Sequence, residues 1–410
     1  MEKLLIIFIG IGYLFPITVI WNCIDYWYLL FPDFNIEFVI TFVYQLFLFL
    51  SVFIISFFTD FSFSFSIYSG FISQFIILFL ISCLSFLNLS TCINYYIILF
   101  LISLLAISTS LLDCSLLSLI SQYPNYLHKY LQIGIGISCF ISISFRILTK
   151  FFISNLIILS TQLYFYLTLF TICICLFSFY ILKNLPISYN VFNPNSFNDY
   201  YFLIDDNINL KKNIDDDSYN YLEQNLDHNS STFYKIASKF ALLTKIWKNC
   251  LSILFNFILT TSIYPSVITS INPISPYFSF NNNWYQILLL FIFAFSDTIS
   301  RFFIKFRFGI KYYNVHYLIL YRLGLVISLI FAVKFRFSDI FIFILIAMFG
   351  FSNGYMTSIV IICLNEIPGL ANNEKKKYWQ IYCAVIKHRA MYRVIFKLFY
   401  LFISFLNDIS

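Results

Sequence analysis

Apolar residues run along this chain in blocks of about 20, parted by short polar stretches. The blocks show no alternation, as in YIILFLISLLAIS over 96–108. Strands of a membrane barrel alternate over about 10 residues. Every backbone polar group in lipid must be satisfied internally, so unalternating blocks of this length predict helices. Eleven spans follow: 4–28, 37–58, 66–87, 95–121, 131–149, 154–182, 247–270, 284–306, 314–334, 338–363 and 379–406. The last is interrupted by Lys387, His388, Arg389, Arg393 and Lys397. Each such charge costs about 2.5–3.5 kcal/mol at the bilayer centre.

One stretch breaks the pattern. Residues 183–246 are polar and rich in Asn and Asp, and read as a mostly disordered loop. Its end, Tyr234 to Lys248, mixes lysines with apolar residues and suits a surface helix. Three regions result: a six-helix bundle over 1–182, a polar cytoplasmic loop over 183–246, and a five-helix bundle over 247–410.

Composition sharpens this picture. Only 11% of the 410 residues are charged and 60% are hydrophobic, with a mean hydropathy of +0.84. A soluble domain carries about 25% charged residues, so a water-facing globule is excluded, and with it a soluble enzyme or a nucleic-acid-binding module. The cysteines sit mostly inside apolar blocks and read as small buried hydrophobes. The four histidines make no metal-ligand spacing. No phosphate loop, G-x-S-x-G or H-E-x-x-H occurs. The first block opens after Met1-Glu2-Lys3, is too long for a cleaved leader and lacks a small-x-small site.

Lysine and arginine near span ends set the orientation. A cytoplasmic N-terminus places Lys3, Lys129, Lys183, Lys305, Arg307, Lys311 and Lys375 to Lys377 inside. Arg146, Lys150, Lys334 and Arg336 then lie outside, and the first outer loop holds Asp25, Asp33 and Glu37 with no cation of its own.

Ionisable residues within spans are costly and mark function by default. Asp297 and Arg301 lie four apart in span eight and share a helix face. Arg322 lies in span nine and Asp113 in span four. Mutual neutralisation and helix packing is the plain alternative for all four. Gly10, Gly12, Gly134 and Gly136 suit close helix approach.

Several motifs together resemble the equilibrative nucleoside transporters, with a composition similar to that of apicomplexan members. FGFSNGY, ending in Ser352-Asn353-Gly354-Tyr355, is similar to the family's Phe-x-x-Ser-Asn-Gly-Tyr. Asp297-x-x-x-Arg301 resembles its Asp-x-x-Gly-Arg, with Ser300 in the glycine's place. GIGYLFP over 10–16, followed by Asp25-Tyr26-Trp27, resembles the family's opening, but Ile17 and Thr18 stand where it has Trp-Asn. Pro124 with Gly134-x-Gly136, Tyr264-Pro265 and Arg322 resemble further family positions. Asp113 falls where many members have Gln, and Cys139 where they have a third glycine. The likeness covers about 4–370; residues 375–410 are basic and lack glycine, unlike the family's last span.

The resemblance implies an all-α integral membrane protein of about eleven helices, in a 6+5 major-facilitator-like bundle. It implies facilitative passage of nucleosides or nucleobases, purines first, through a central site open to each side in turn. Asp297 would accept hydrogen bonds from ribose hydroxyls, with Arg301 orienting it. Asp113 would accept from a base amino group or take up a proton. Thr18 keeps part of the hydrogen-bonding capacity of the family's Asn, and Trp21 would stack on the base. Gly134, Gly136, Ser352, Asn353, Gly354 and Arg322 would serve helix packing or gating. No cofactor or metal is expected. Passive equilibration is the simpler energetics, and Asp113 makes proton coupling the other. The partners are the solute and the lipid bilayer, not nucleic acid; the sequence does not set the oligomeric state. The plasma membrane is the family's default. Two alternatives stay open: a carrier of the same fold with another solute, and a membrane protein that no longer transports.

Overall fold

The computed structural model describes residues 1–192 and 251–364, apart from breaks at 33, 35, 59–61, 85, 88–89, 154–155, 253–254, 279–283, 308–309, 311–313 and 315. The last predicted span, the surface helix at Tyr234–Lys248 and most of the polar loop lie outside the described residues.

The described chain is helical, with no strand among its residues. In order come α1 (Glu2–Trp21), α2 (Ile24–Leu30), α3 (Ile36–Phe58), α4 (Phe63–Leu84) and α5 (Thr91–Ile120). Next are α6 (His128–Phe152), α7 (Ile157–Lys183) and α8 (Pro186–Phe192). The second group holds α9 (255–263), α10 (Ser266–Thr269), α11 (Trp284–Phe302), α12 (His316–Lys334) and α13 (Asp339–Leu364). Eight of these helices are long and apolar enough to cross a bilayer. Each of the first ten predicted spans overlaps helix among the described residues.

Two local departures have clear causes. The predicted span 4–28 breaks after Trp21, and α2 turns away. The indole N–H of Trp27 donates to the carbonyl of Ile20 at 2.8 Å, a shorter contact to that helix-end oxygen than the Cys23 N–H makes at 3.4 Å. The Asn22 amide donates to Ser142 Oγ of α6 at 2.8 Å. The polar loop, in turn, opens with a helix rather than coil. Pro186 supplies a pre-set first helical residue. Ile187, Val191 and Phe192 pack on the first core, and Ser188 Oγ lies 2.7 Å from the Tyr123 hydroxyl.

Each helix group has its own core. The first is built from α1 to α7, with Phe15, Tyr26, Trp27, Phe71 and Phe165 at its centre. The second lies among α9 to α13 and also takes in Ile24 and Ile143 of the first group. That shared packing joins the two groups. α6 sits at the join. It runs parallel to α1, where Gly10 and Gly134 meet back to back: a Cβ on Gly134 would lie 2.3 Å from the Ile7 carbonyl oxygen. It runs antiparallel to α11, with Gln132 near Arg301 at one end and Lys150 near Trp284 at the other. The bundle thus has a Glu2 end and an Asp25 end.

Candidate functional site between the two helix groups

Asp297 and Arg301 sit one turn apart on α11, both buried. Arg301 Nε donates to Asp297 Oδ2 at 3.0 Å. The other carboxylate oxygen accepts from Asn353 Nδ2 of α13 at 2.7 Å. Arg301 also reaches across to the first helix group. Its Nη1 donates to the backbone carbonyl of Gln132 at 3.2 Å and to the Gln132 side-chain oxygen at 3.1 Å. Thr298 Oγ1 lies at the same crossing, 2.8 Å from the Gly136 carbonyl and 2.8 Å from the Ala294 carbonyl of its own helix, which share its one hydrogen.

Glycines make these approaches possible. A Cβ on Gly136 would lie 2.4 Å from Arg301 Cδ, so any side chain there would displace the arginine. A Cβ on Gly354 would lie 2.2 Å from both the Asp297 carbonyl and Ser300 Oγ. Ser300, at the position where the family has glycine, fits because its hydroxyl folds back onto the Asp297 carbonyl at 2.7 Å.

Arg322 of α12 is fully buried and has no carboxylate in direct contact among the described residues. Its Nη1 hydrogen-bonds Asn256 Oδ1 and lies 3.2 Å from Asn353 Oδ1, and its Nη2 donates to Thr260 at 3.0 Å. Its guanidinium lies 4.7 Å from the centre of the Phe349 ring. Asn353 therefore links two charges: its oxygen faces Arg322 and its amide faces Asp297. Ser352, beside it, donates to the Phe349 carbonyl of its own helix at 2.9 Å.

The remaining candidates lie in the first group. Asp113 of α5 is buried and accepts from the Tyr13 hydroxyl of α1. Gln74 is next in this strip, donating to Thr109 at 3.2 Å. Thr18 donates to the Phe15 carbonyl of its own helix at 2.8 Å. Trp21 bridges the groups edge-on, with Tyr44 at 5.9 Å on one side and Tyr264 at 5.8 Å on the other. Tyr264 stacks on Phe293 at 4.4 Å. The Trp21 indole N–H is closed off from solvent without a hydrogen-bond partner among the described residues.

The structure thus joins Asp297, Arg301, Gly136, Asn353, Gly354 and Arg322 in one network. It places Gly134 at the α1–α6 crossing and Asp113 on Tyr13. Gln132, Asn256 and Thr260 are network members that the sequence reading passed over. Their signal was present: each is a polar side chain within an apolar block.

At the Asp25 end the loop acids have no cation of their own loop, and Asp25 is met from another helix: it is buried between Arg146 and Lys150 of α6, with Lys150 Nζ at 3.0 Å. The break after α1 is the cause, since it folds α2 back against α6. Lys150 also lies 5.1 Å from the centre of the Trp284 ring, in the second group. Nearby, Thr269 Oγ1 of α10 lies 2.6 Å from Glu37 Oε2 of α3.

Two helix groups thus meet along long apolar helices, with a buried charged network at the join. The structure is similar to the proton:xylose symporter XylE bound to 6-bromo-6-deoxy-D-glucose, with a TM-score of 0.66 and 12% identity over 97% of this chain and 87% of that one. It is also similar to the xylose transporter XylE from E. coli in a partially occluded inward-open conformation (TM-score 0.55, 11% identity, 95% of this chain and 91% of that one). The major-facilitator transporter FucP in the outward conformation gives a TM-score of 0.55 at 10% identity, over 94% and 88%. At these identities the likeness is one of fold. No curated protein sequence matches the chain. A family model described as "Nucleoside transporter" matches residues 99–368. The chain belongs to the equilibrative nucleoside transporter family: it is a multi-pass membrane transporter, not an enzyme.

Proposed function

We propose that this protein carries nucleosides or nucleobases, purines first among them, down their gradients by alternating access between its two helix groups. The observation that carries the reading is Asp297, buried at the join and oriented from both sides by Arg301 and Asn353. A ribose presents vicinal hydroxyls, and a carboxylate in fixed orientation accepts from both. Arg301 holds that orientation while touching Gln132 of the other group, so the side chain that orients the solute's acceptor also makes a contact between the groups. Trp21 offers its ring to the base and its unused N–H to a base acceptor. Asp113 and Thr18 complete the first-group side of the site. The lysine and arginine distribution supports a cytoplasmic N-terminus, and the plasma membrane is the proposed location.

The test is uptake of radiolabelled adenosine and hypoxanthine by cells lacking their own carriers, with surface expression measured. Saturable uptake that excess unlabelled nucleoside blocks is the expected result. No uptake by correctly inserted protein would overturn the substrate assignment. A second reading keeps the fold and changes the solute. It rests on Thr18, whose hydroxyl hydrogen is engaged by its own helix at a position where the family has Asn. Competition by a panel of unlabelled sugars and vitamins, without competition by nucleosides, would favour it.

A further inference from the structure

Glu37 opens α3 at the Asp25 end and faces the second helix group. Thr269 has one hydroxyl hydrogen. Its Oγ1 lies 2.8 Å from the Ser266 carbonyl of its own helix, a contact only that hydrogen can make. The same Oγ1 lies 2.6 Å from Glu37 Oε2. An ionised Glu37 is acceptor-only and would compete with the Ser266 carbonyl for the single hydrogen. A protonated Glu37 donates to Thr269, Thr269 donates to Ser266, and both contacts are satisfied together.

The surroundings agree with the proton count. Glu37 Oε1 is closed off from solvent and has no hydrogen-bond partner among the described residues. The crevice around the carboxyl has about 10 Å³ of free volume, at the lower limit for one water. Its walls are Ile20 and Trp21 of α1, Trp27 of α2, Ile40 of α3, and Pro265 and Thr269 at the α9–α10 turn. None carries a charge. The titratable group that interacts with Glu37 among the described residues is the Tyr28 phenol of α2. Asp25 of α2 is already paired with Arg146 and Lys150. Position 33 lies outside the described residues.

We propose that Glu37 is a proton-binding site that closes the Asp25 end: closure takes one proton from the solution at that end onto the carboxylate, and opening returns it. The inference rests on the alternating-access reading but on no particular solute. Closure buries the carboxyl against α10, where only its neutral form has its hydrogen bonds met. Opening parts α3 from α10 and lets water reach it. The closed state binds one more proton than the open state, so acid favours closure at this end.

The test uses the full chain in proteoliposomes without any solute, so it stands apart from the substrate assignment. Spin labels on unnatural residues at Leu29 of α2 and Ile274 beyond α10 spare the native cysteines; both positions are exposed. The ratio of short-distance to long-distance populations is read at about pH 5.5 and about pH 8. The wild type is expected to raise this ratio at least about threefold in acid. Glu37→Gln, whose amide donates to Thr269 as the acid does, is expected to stay short at both pH values. Thr269→Val, which removes the acceptor, is expected to lose the acid response. A pH-independent wild type, or a Glu37→Gln variant that follows the wild-type response, overturns the proposal. Should Glu37→Gln fail to insert, an unchanged acid response in Thr269→Val overturns it equally.

Discussion

Asp297 has both carboxylate oxygens engaged, one by Arg301 and one by Asn353. Asn at this position would turn an amide N–H₂ toward one of two donors and leave a buried contact unmet. Breaking a buried charge pair on one side costs about 2–5 kcal/mol. Asp297→Asn is therefore expected to lower uptake by about 30-fold or more, with insertion intact. Initial rates normalised to surface-labelled protein check this, and wild-type rates would leave Asp297 a packing residue. Arg301→Lys tests the planar fork. A single ammonium cannot hold the guanidinium's fixed geometry toward Asp297 and Gln132 at once. The expected outcome is a KM raised about tenfold, read from concentration dependence. The Asp297–Arg301 pair was legible in the sequence because a spacing of four fixes a shared face. That Asn353, itself picked out by its motif, and Gln132 would meet this pair was not legible, because they come from other helices.

At the scale of the element, most helices here are apolar on all sides, so no stripe announces which face packs inward. Close approach is read instead at glycine. α13 comes down on α11 where Gly354 meets the Asp297 carbonyl and Ser300. Gly354→Val would force the two helices apart and draw Asn353 away from Asp297. Overpacking of this kind costs about 1–3 kcal/mol. A lower melting temperature in detergent together with lost uptake is the expected pair of results; normal values of both would show that the helices yield without consequence. The break after Trp21 was beyond the sequence pattern. Apolar character continues through Cys23 and Ile24, and the turn is stabilised by Trp27 on Ile20 and Asn22 on Ser142, the second a contact between helices.

For the whole molecule, the two groups are held together at both ends. Arg301 on Gln132 serves the Glu2 end, and Lys150 beside Trp284 serves the Asp25 end. The Asp25 cluster buries two cations around one acid. Asp25→Ala removes the carboxylate that Arg146 and Lys150 share, and breaking a buried pair this way costs about 3–5 kcal/mol. Lys150→Met leaves one balanced pair and is expected to cost less. Thermal denaturation of the two purified variants checks the order; an equal or reversed order would show that the acid is not holding α2 on α6.

The sequence by itself determined the medium and the elements. Block length and the lack of alternation require bilayer-spanning helices, because lipid offers the backbone no partner. It also marked which polar residues stand in apolar blocks, and ordered motifs pointed to the family. Only the tertiary structure decided how those charges are balanced. Asp25 stands in a loop with no cation of its own and is paired with two cations of α6. Arg322 looked like a partner for a carboxylate and rests on Asn256, Thr260 and Asn353 instead. Glu37 looked like an outer-loop acid and meets Thr269 across the join. Such pairings depend on the crossing points of helices distant in sequence. Those crossings are set by glycine contacts and side-chain volume, which a pattern along one chain does not contain.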